Sequence, residues 1–279
     1  MTDHLTPKNF DEQIEILKNR GLQFENEERA KKYLSYIGYQ RLSVYWNYFY
    51  IDKIEKNAFK REISFENILD LYIFDRKLRV LFFEATERIE VCIKVLFSDI
   101  LCRNNSSAFW YNDASLFRQR LDKYEINGEL KQEIFNHKMI MKKIEESIQK
   151  IKKNNKSLKG FTNLKDTPIP SWELCDMITF GAFSNIMSLI NGSNDTELYE
   201  KFNLPKIVLD NWLECIVNIR NICAHYGLLY RRSFAITPRS LTKSKKRSYT
   251  IDFETSRMKF YAQFYIFSYL LEKISPTST

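Results

Sequence analysis

The stretch SFENILDLYIFDRKLRVLFFEATERIEVCIKVLFSDILCR, residues 64–103, contains neither proline nor glycine. Its apolar residues Leu71, Phe74, Leu78, Leu81, Ala85, Ile89, Cys92 and Leu96 recur every three or four positions, which is the period of one face of an α-helix. The spacing predicts a single helix on the order of 60 Å long, at about 1.5 Å per residue. A small partner cannot cover such a helix, so it reads as the central strut of the fold or as part of a dimer interface. With only seven glycines and six prolines in 279 residues, the chain lacks the turn punctuation that sandwiches and barrels need. The expectation is an all-α bundle.

Further helices are predicted on both sides of the strut. Residues 9–21, NFDEQIEILKNRG, carry acids in the first turn and Gly21 at the end, which suits the helix dipole and a C-terminal cap. A second helical stretch covers 26–49 and holds Tyr33, Tyr36, Tyr39, Tyr45, Trp46, Tyr48 and Phe49. These rings suit base stacking or packing between helices with bonded hydroxyls, and packing is the simpler reading. Helices are also expected over 129–153, 171–190, 204–227 and 256–274. The polar segment NNKSLKGFTNLKDTPIP, 154–170, reads as a linker, giving one helical domain over 1–279 with sub-lobes 1–155 and 170–279. SFAITP (233–238) and RSYTIDF (247–253) leave open a short β-hairpin after the helix expected over 204–227.

The cysteines Cys92, Cys102, Cys175, Cys215 and Cys223 are odd in number and lack C-x-x-C spacing, which argues against a disulfide framework or a zinc ribbon and for a reducing compartment. No window holds 18 uncharged apolar residues and the N-terminus lacks a basic-then-apolar pattern, so a cytoplasmic protein with no membrane contact is expected. Neither metal nor cofactor is indicated. The charge is uneven. Arg231, Arg232, Arg239, Lys243, Lys245, Lys246 and Arg247 fall within 231–251 with no acid among them, and without that segment the net charge drops from +8 to +1. Such a cluster suits a phosphodiester partner, RNA above all, or forms a solvated loop.

Directly before the basic cluster stands NIRNICAHYGLLYRR, 218–232, which contains one of only three histidines. At 100° per residue Asn221 and His225 share a helix face, while Arg220 lies about 140° round from His225. The arginine must reach around the helix, or meet a histidine across a symmetric partner. A guanidinium offers a fixed fork of donors for phosphate oxygens, and an imidazole changes protonation near neutrality. The same histidine also suits a plain C-terminal cap.

RNICAH fits the R-x4-6-H signature of HEPN ribonucleases, and the chain resembles the AbiD/AbiF-type abortive-infection family. The resemblance is carried in order by EQIEILKNRGL, YLSYIGYQRLSVYW, FDRKLRVLFFEATERIEV, PSWELCDMITFGAFSNI and RNICAH, spanning roughly residues 10 to 232. It implies a HEPN-like helical bundle with an additional N-terminal helical region, dimerising so that two R-x4-H helices form one composite site. It also implies metal-independent RNA cleavage by a toxin or anti-phage effector, with Arg220, Asn221 and His225 as the motif positions. The family commonly continues with a second histidine and an arginine, where this chain has Tyr226 and Leu228. Arg88 and Glu87 on the strut are candidates to support Arg220, or are ordinary surface ion pairs. His4 and His137 lie outside any motif, so two copies of His225 across a two-fold axis would supply both proton transfers, and a homodimer is expected. An antitoxin, protein or structured RNA, would restrain such an enzyme. The competing expectations are a catalytically silent RNA-binding module and, third, a protein-interaction adaptor using the aromatic stretch 26–50.

Overall fold

Asn9 starts the first helix. Its side chain accepts the Glu12 amide at 2.9 Å while the Glu12 carboxylate accepts the Asn9 amide at 2.7 Å, a reciprocal capping box that opens α1, Phe10–Asn19. Asn26 likewise accepts the Arg29 amide at 2.8 Å and opens α2, Glu27–Ile37. The aromatic stretch is not one helix. Gly38 takes φ 91°, a left-handed value open to a residue without Cβ, and separates α2 from α3, Tyr39–Trp46. The strut forms as expected: α4 runs over Phe65–Asn105.

The computed structural model describes residues 6–52, 54–55, 58–126, 129–152, 158, 160–240 and 260–275. It is an all-α bundle bearing one two-stranded sheet. No helix among the described residues is long and apolar enough to cross a membrane. The chain divides into two compact units, and α4 supplies residues to both. One holds residues to Leu81 plus the short segment Tyr226–Tyr230; the other holds Phe82–His225 and the chain from Arg231 onward.

In the N-terminal unit, α1 to α3 and the first turns of α4 bury Ile14, Leu17, Leu34, Leu42, Tyr45, Trp46, Phe65 and Ile68, with Leu228 packed against them. Most of the aromatic stretch therefore serves packing, although Tyr36 is 77% exposed. Two charged residues are buried beside this core. Asp75 of α4 is fully buried and pairs with Arg79 one turn on. Asp75 Oδ2 also accepts the Tyr45 hydroxyl at 2.9 Å, and Oδ1 accepts the amides of Leu229 at 3.0 Å and Tyr230 at 2.7 Å. The return segment is thus fastened to α4 through its backbone.

In the second unit, Phe82 meets Phe260 and Phe267 edge-on, and Phe97 meets Trp110 and Phe183. Residues 129–153 form one helix only in part. Arg120–Ile126 (β1) and Glu129–Phe135 (β2) pair antiparallel in a register running from Arg120 with Phe135 to Ile126 with Glu129. Helix α5, His137–Lys152, starts only after Asn136, whose side chain accepts the Met139 amide at 3.2 Å. The stretch 171–190 likewise splits into α6, Ser171–Met177, and α7, Phe180–Leu189, because Thr179 caps the Ala182 amide at 3.3 Å. A short helix α8, Thr196–Phe202, precedes α9, Lys206–Ala224, and α10 covers Phe260–Ile274. Of the polar segment 154–170, the described residues 158 and 160–170 belong to this unit, where Leu158, Phe161, Leu164 and Ile169 are buried. Of the hairpin left open after α9, SFAITP forms no strand; its Ile236 carbonyl accepts from Gln263 at 3.0 Å instead of from a partner strand. RSYTIDF lies outside the described residues.

Candidate active site

Helix α9 begins after Pro205 (φ −62°), whose fixed backbone suits a helix start, and buries Val208, Leu209, Trp212, Leu213, Cys215, Ile216, Ile219 and Cys223. That apolar face leaves three polar side chains off the core at the C-terminal end. Asn221 and His225 are exposed, and Arg220 is half-buried. His225 is the capping residue (φ −92°, ψ 16°), its amide bonded to the Asn221 carbonyl at 3.0 Å. The helix stops one residue later, because Tyr226, not Gly227, takes the left-handed conformation at φ 57°.

The Arg220 side chain turns to its neighbour Asn221 and to α4. Its Nη1 donates to Asn221 Oδ1 at 3.4 Å, and its guanidinium carbon lies 5.9 Å from the ring centroid of Phe83 on α4. An aromatic face beneath a guanidinium orients it without consuming its donors. Arg220 and Asn221 are therefore brought together through their side chains, and Asn221 and His225 through the last backbone hydrogen bond of the helix. The end of α9 thus carries an exposed imidazole and, five residues earlier, a cation oriented by Asn221 and Phe83, groups of the kind that move a proton and compensate growing negative charge.

The remaining sequence candidates fall in different places. Glu87 stands one turn from Phe83 on the same face of α4 and is exposed. Arg88 Nη1 donates to Glu84 at 3.4 Å. Arg231 and Arg232 are exposed immediately beyond the return segment. Arg239 is also exposed, but its backbone is tied to the middle of α9: its amide donates to Asn211 Oδ1 at 2.6 Å and its carbonyl accepts Trp212 Nε1 at 2.9 Å. That anchor is roughly 12 Å along the helix from Arg220, eight residues at about 1.5 Å each. Lys243, Lys245, Lys246 and Arg247 lie outside the described residues. His137 has a structural tie, with Nε2 2.7 Å from the Tyr111 carbonyl and its ring beside Phe117. Among the described residues no group of three or more His, Cys, Asp or Glu could hold a metal ion.

Of the two positions where the resembled abortive-infection family commonly has histidine and arginine, Leu228 is packed and Tyr226 is 66% exposed. Leu228 lies against the core of the N-terminal unit, and the Tyr226 carbonyl accepts from Arg41 at 2.7 Å, with the Arg41 guanidinium 5.6 Å from the Tyr226 ring. The residues that sequence reasoning did not single out are Asp75 and Arg79. Both lie within FDRKLRVLFFEATERIEV, but their spacing, an acid followed four residues later by an arginine, is one that surface helices use freely.

A family model described as Abi-like protein matches residues 32–231, a span from within α2 to the residue after the return segment that includes Arg220, Asn221 and His225. No curated protein and no solved structure matches the chain.

Proposed function

We propose, from the premise that the chain belongs to the Abi-like protein family, that it is a metal-independent RNA endonuclease acting in abortive infection. The family makes it an abortive-infection protein; the nuclease reading comes from the end of α9. The observation that carries it is an exposed His225 on the same helix end as Asn221 and Arg220, with Arg220 oriented on Phe83.

RNA contains its own nucleophile. In the proposed reaction the 2′-hydroxyl oxygen attacks the adjacent phosphorus, an imidazole of His225 takes the hydroxyl proton, and the bond from phosphorus to the 5′-oxygen breaks. A second proton goes to that departing oxygen, leaving a 2′,3′-cyclic phosphate and a 5′-hydroxyl. The guanidinium of Arg220 faces the phosphate oxygens as charge builds on them, where a fixed charged donor acts without reorganisation. Asn221 steadies the arginine through its side-chain oxygen. One imidazole that has just accepted a proton is in the wrong place to donate to the opposite side of phosphorus, so two copies of His225 in a homodimer serve as base and acid. Arg231 and Arg232, and beyond them Arg239 and the lysine-rich stretch, attract the RNA backbone by charge.

The test is cleavage of labelled RNA by the purified chain in excess EDTA, wild type beside His225→Ala and Arg220→Ala. Removing a transition-state donor of this kind costs about 100- to 1,000-fold in rate, so both variants should fall at least that far while still binding RNA. Products ending in 2′,3′-cyclic phosphate support the reading. RNA binding without cleavage in the wild type, unchanged in His225→Ala, would instead identify a catalytically silent RNA-binding module.

A further inference from the structure

A buried ion pair is a poor stabilising device. Desolvating two charges costs several kcal/mol each, and apolar residues of similar volume often do as well or better. Asp75 is nonetheless 0% exposed and Arg79 6%. All the accepting capacity of Asp75 is used: Oδ2 by Arg79 and the Tyr45 hydroxyl, Oδ1 by the amides of Leu229 and Tyr230. Arg79 Nη1 also donates to the Gly227 carbonyl at 3.3 Å. Around them Arg41 holds the Tyr226 carbonyl at 2.7 Å and the Tyr48 hydroxyl holds the Tyr230 carbonyl at 3.0 Å. The one residue of 226–230 whose backbone is not named in these bonds, Leu228, packs by its side chain. This attention falls on the five residues that follow His225 in the chain.

Such a network supplies register. A slip of the return segment by one residue moves the chain about 3.8 Å and leaves a buried carboxylate facing a different pair of backbone groups. The slip would also dislodge Tyr226 from its left-handed conformation, the point at which α9 stops. His225 is joined to Tyr226 by one peptide bond, so whatever fixes the Tyr226 backbone fixes the C-terminal side of the proposed catalytic residue. We propose that Asp75 and Arg79 are positioning residues for His225, clamping the segment 226–230 so that the imidazole is presented in one place. The proposal rests on the reading of His225 as the proton-transfer group.

The experiment uses the full chain with histidine labelled at the ring C2 carbon. Two variants are compared with wild type: Asp75→Asn, which keeps size and removes charge, and the double apolar change Asp75→Leu with Arg79→Met, which retains the fold if the single variant does not. Misplacing a reacting group by about 1 Å can cost on the order of 100-fold, so kcat for RNA cleavage should fall about tenfold or more while KM stays within about twofold. The Leu229 and Tyr230 amides should exchange faster, and the His225 ring signal should shift or broaden while that of His137 stays put. An unchanged kcat and an unchanged His225 signal in a folded variant would overturn the proposal. So would a joint change of kcat, KM and both ring signals, which marks a merely structural role. If the wild type cleaves no RNA the nuclease reading fails, and the ring signals alone then decide whether the clamp positions His225.

Discussion

Replacing Tyr45 by phenylalanine removes one oxygen atom from the centre of the Asp75 network and nothing else. The residue is 1% exposed, and its ring stays in edge contact with Tyr72 at 5.4 Å between centroids, so no cavity of consequence opens. What is lost is a hydrogen bond to Asp75 at 2.9 Å and one from Arg79 at 3.0 Å. A hydrogen bond to a charged group contributes about 1.5–3 kcal/mol. Each partner keeps other bonds after the change, so the two losses together amount to about 2 kcal/mol, roughly a 30-fold shift toward the unfolded state. The pH dependence sharpens the test. Burial pushes the Tyr45 phenol up to about 12, so as pH rises past about 10 the unfolded chain releases this proton before the folded chain does. The stability linked to it is fully present below pH 10 and is lost as pH climbs toward 12. Tyr45→Phe has no such proton, and its deficit should narrow in alkali. Urea unfolding of both proteins at pH 7 and pH 11, with equal m-values, reads both effects. A deficit under about 0.5 kcal/mol at pH 7, the scale of an ordinary surface change, or one that does not narrow at pH 11, refutes the reasoning.

Gly38→Ala should destabilise by about 1–3 kcal/mol, the cost of a backbone conformation (φ 91°, ψ 142°) open essentially to glycine alone. The added atom would meet nothing within 4 Å, so the penalty is purely conformational, and Gly192→Ala, equally open and without a positive φ, should change urea stability by less than about 0.5 kcal/mol. In a thiol-exchange titration of native protein at pH 8, Cys175 and Cys215 should stay silent until urea is added, since both are buried and burial pushes their thiols up to about 12. Prompt reaction of all five cysteines would contradict that packing.

The elements legible in the sequence are those whose evidence is local. Helix α4 declared itself by an unbroken three-to-four spacing, and α1 by its early acids and Gly21. The hairpin did not declare itself, because Leu130 and Ile134 are four apart and fit a helix as well as a strand. The deciding signal was Asn136 as a cap, which holds the helix start to His137. Residues 154–170 read as a linker on polar composition, while Leu158, Phe161, Leu164 and Ile169 go into the core. At the candidate site the same rule holds. Arg220, Asn221 and His225 lie within six residues on one helix end and were visible as a motif. The return segment YGLLY is uncharged, and its backbone partners stand some 150 to 190 positions upstream, where no local pattern points.

Helix α4 contains the reason that charge spacing alone misleads. Asp75–Arg79 and Glu84–Arg88 are both an acid followed by arginine four residues on, indistinguishable in sequence. Nine positions at 100° each separate them, which is two and a half turns, so they lie on opposite faces of the same helix. On one face the side chains of Asp75 and Arg79 are 0% and 8% exposed; on the other those of Glu84 and Arg88 are 58% and 26%. An exposed pair of this spacing contributes only about 0.3–0.5 kcal/mol, so the chain loses little if it breaks. A buried pair stripped of one partner leaves a charge in the core, at about 3–5 kcal/mol. The sequence drew attention to Arg88 because it stands beside the apolar stripe near the middle of the strut. Energetics draws attention to Asp75, because a charge that costs so much to bury must hold groups that the fold cannot leave loose, and those groups are the amides just beyond His225.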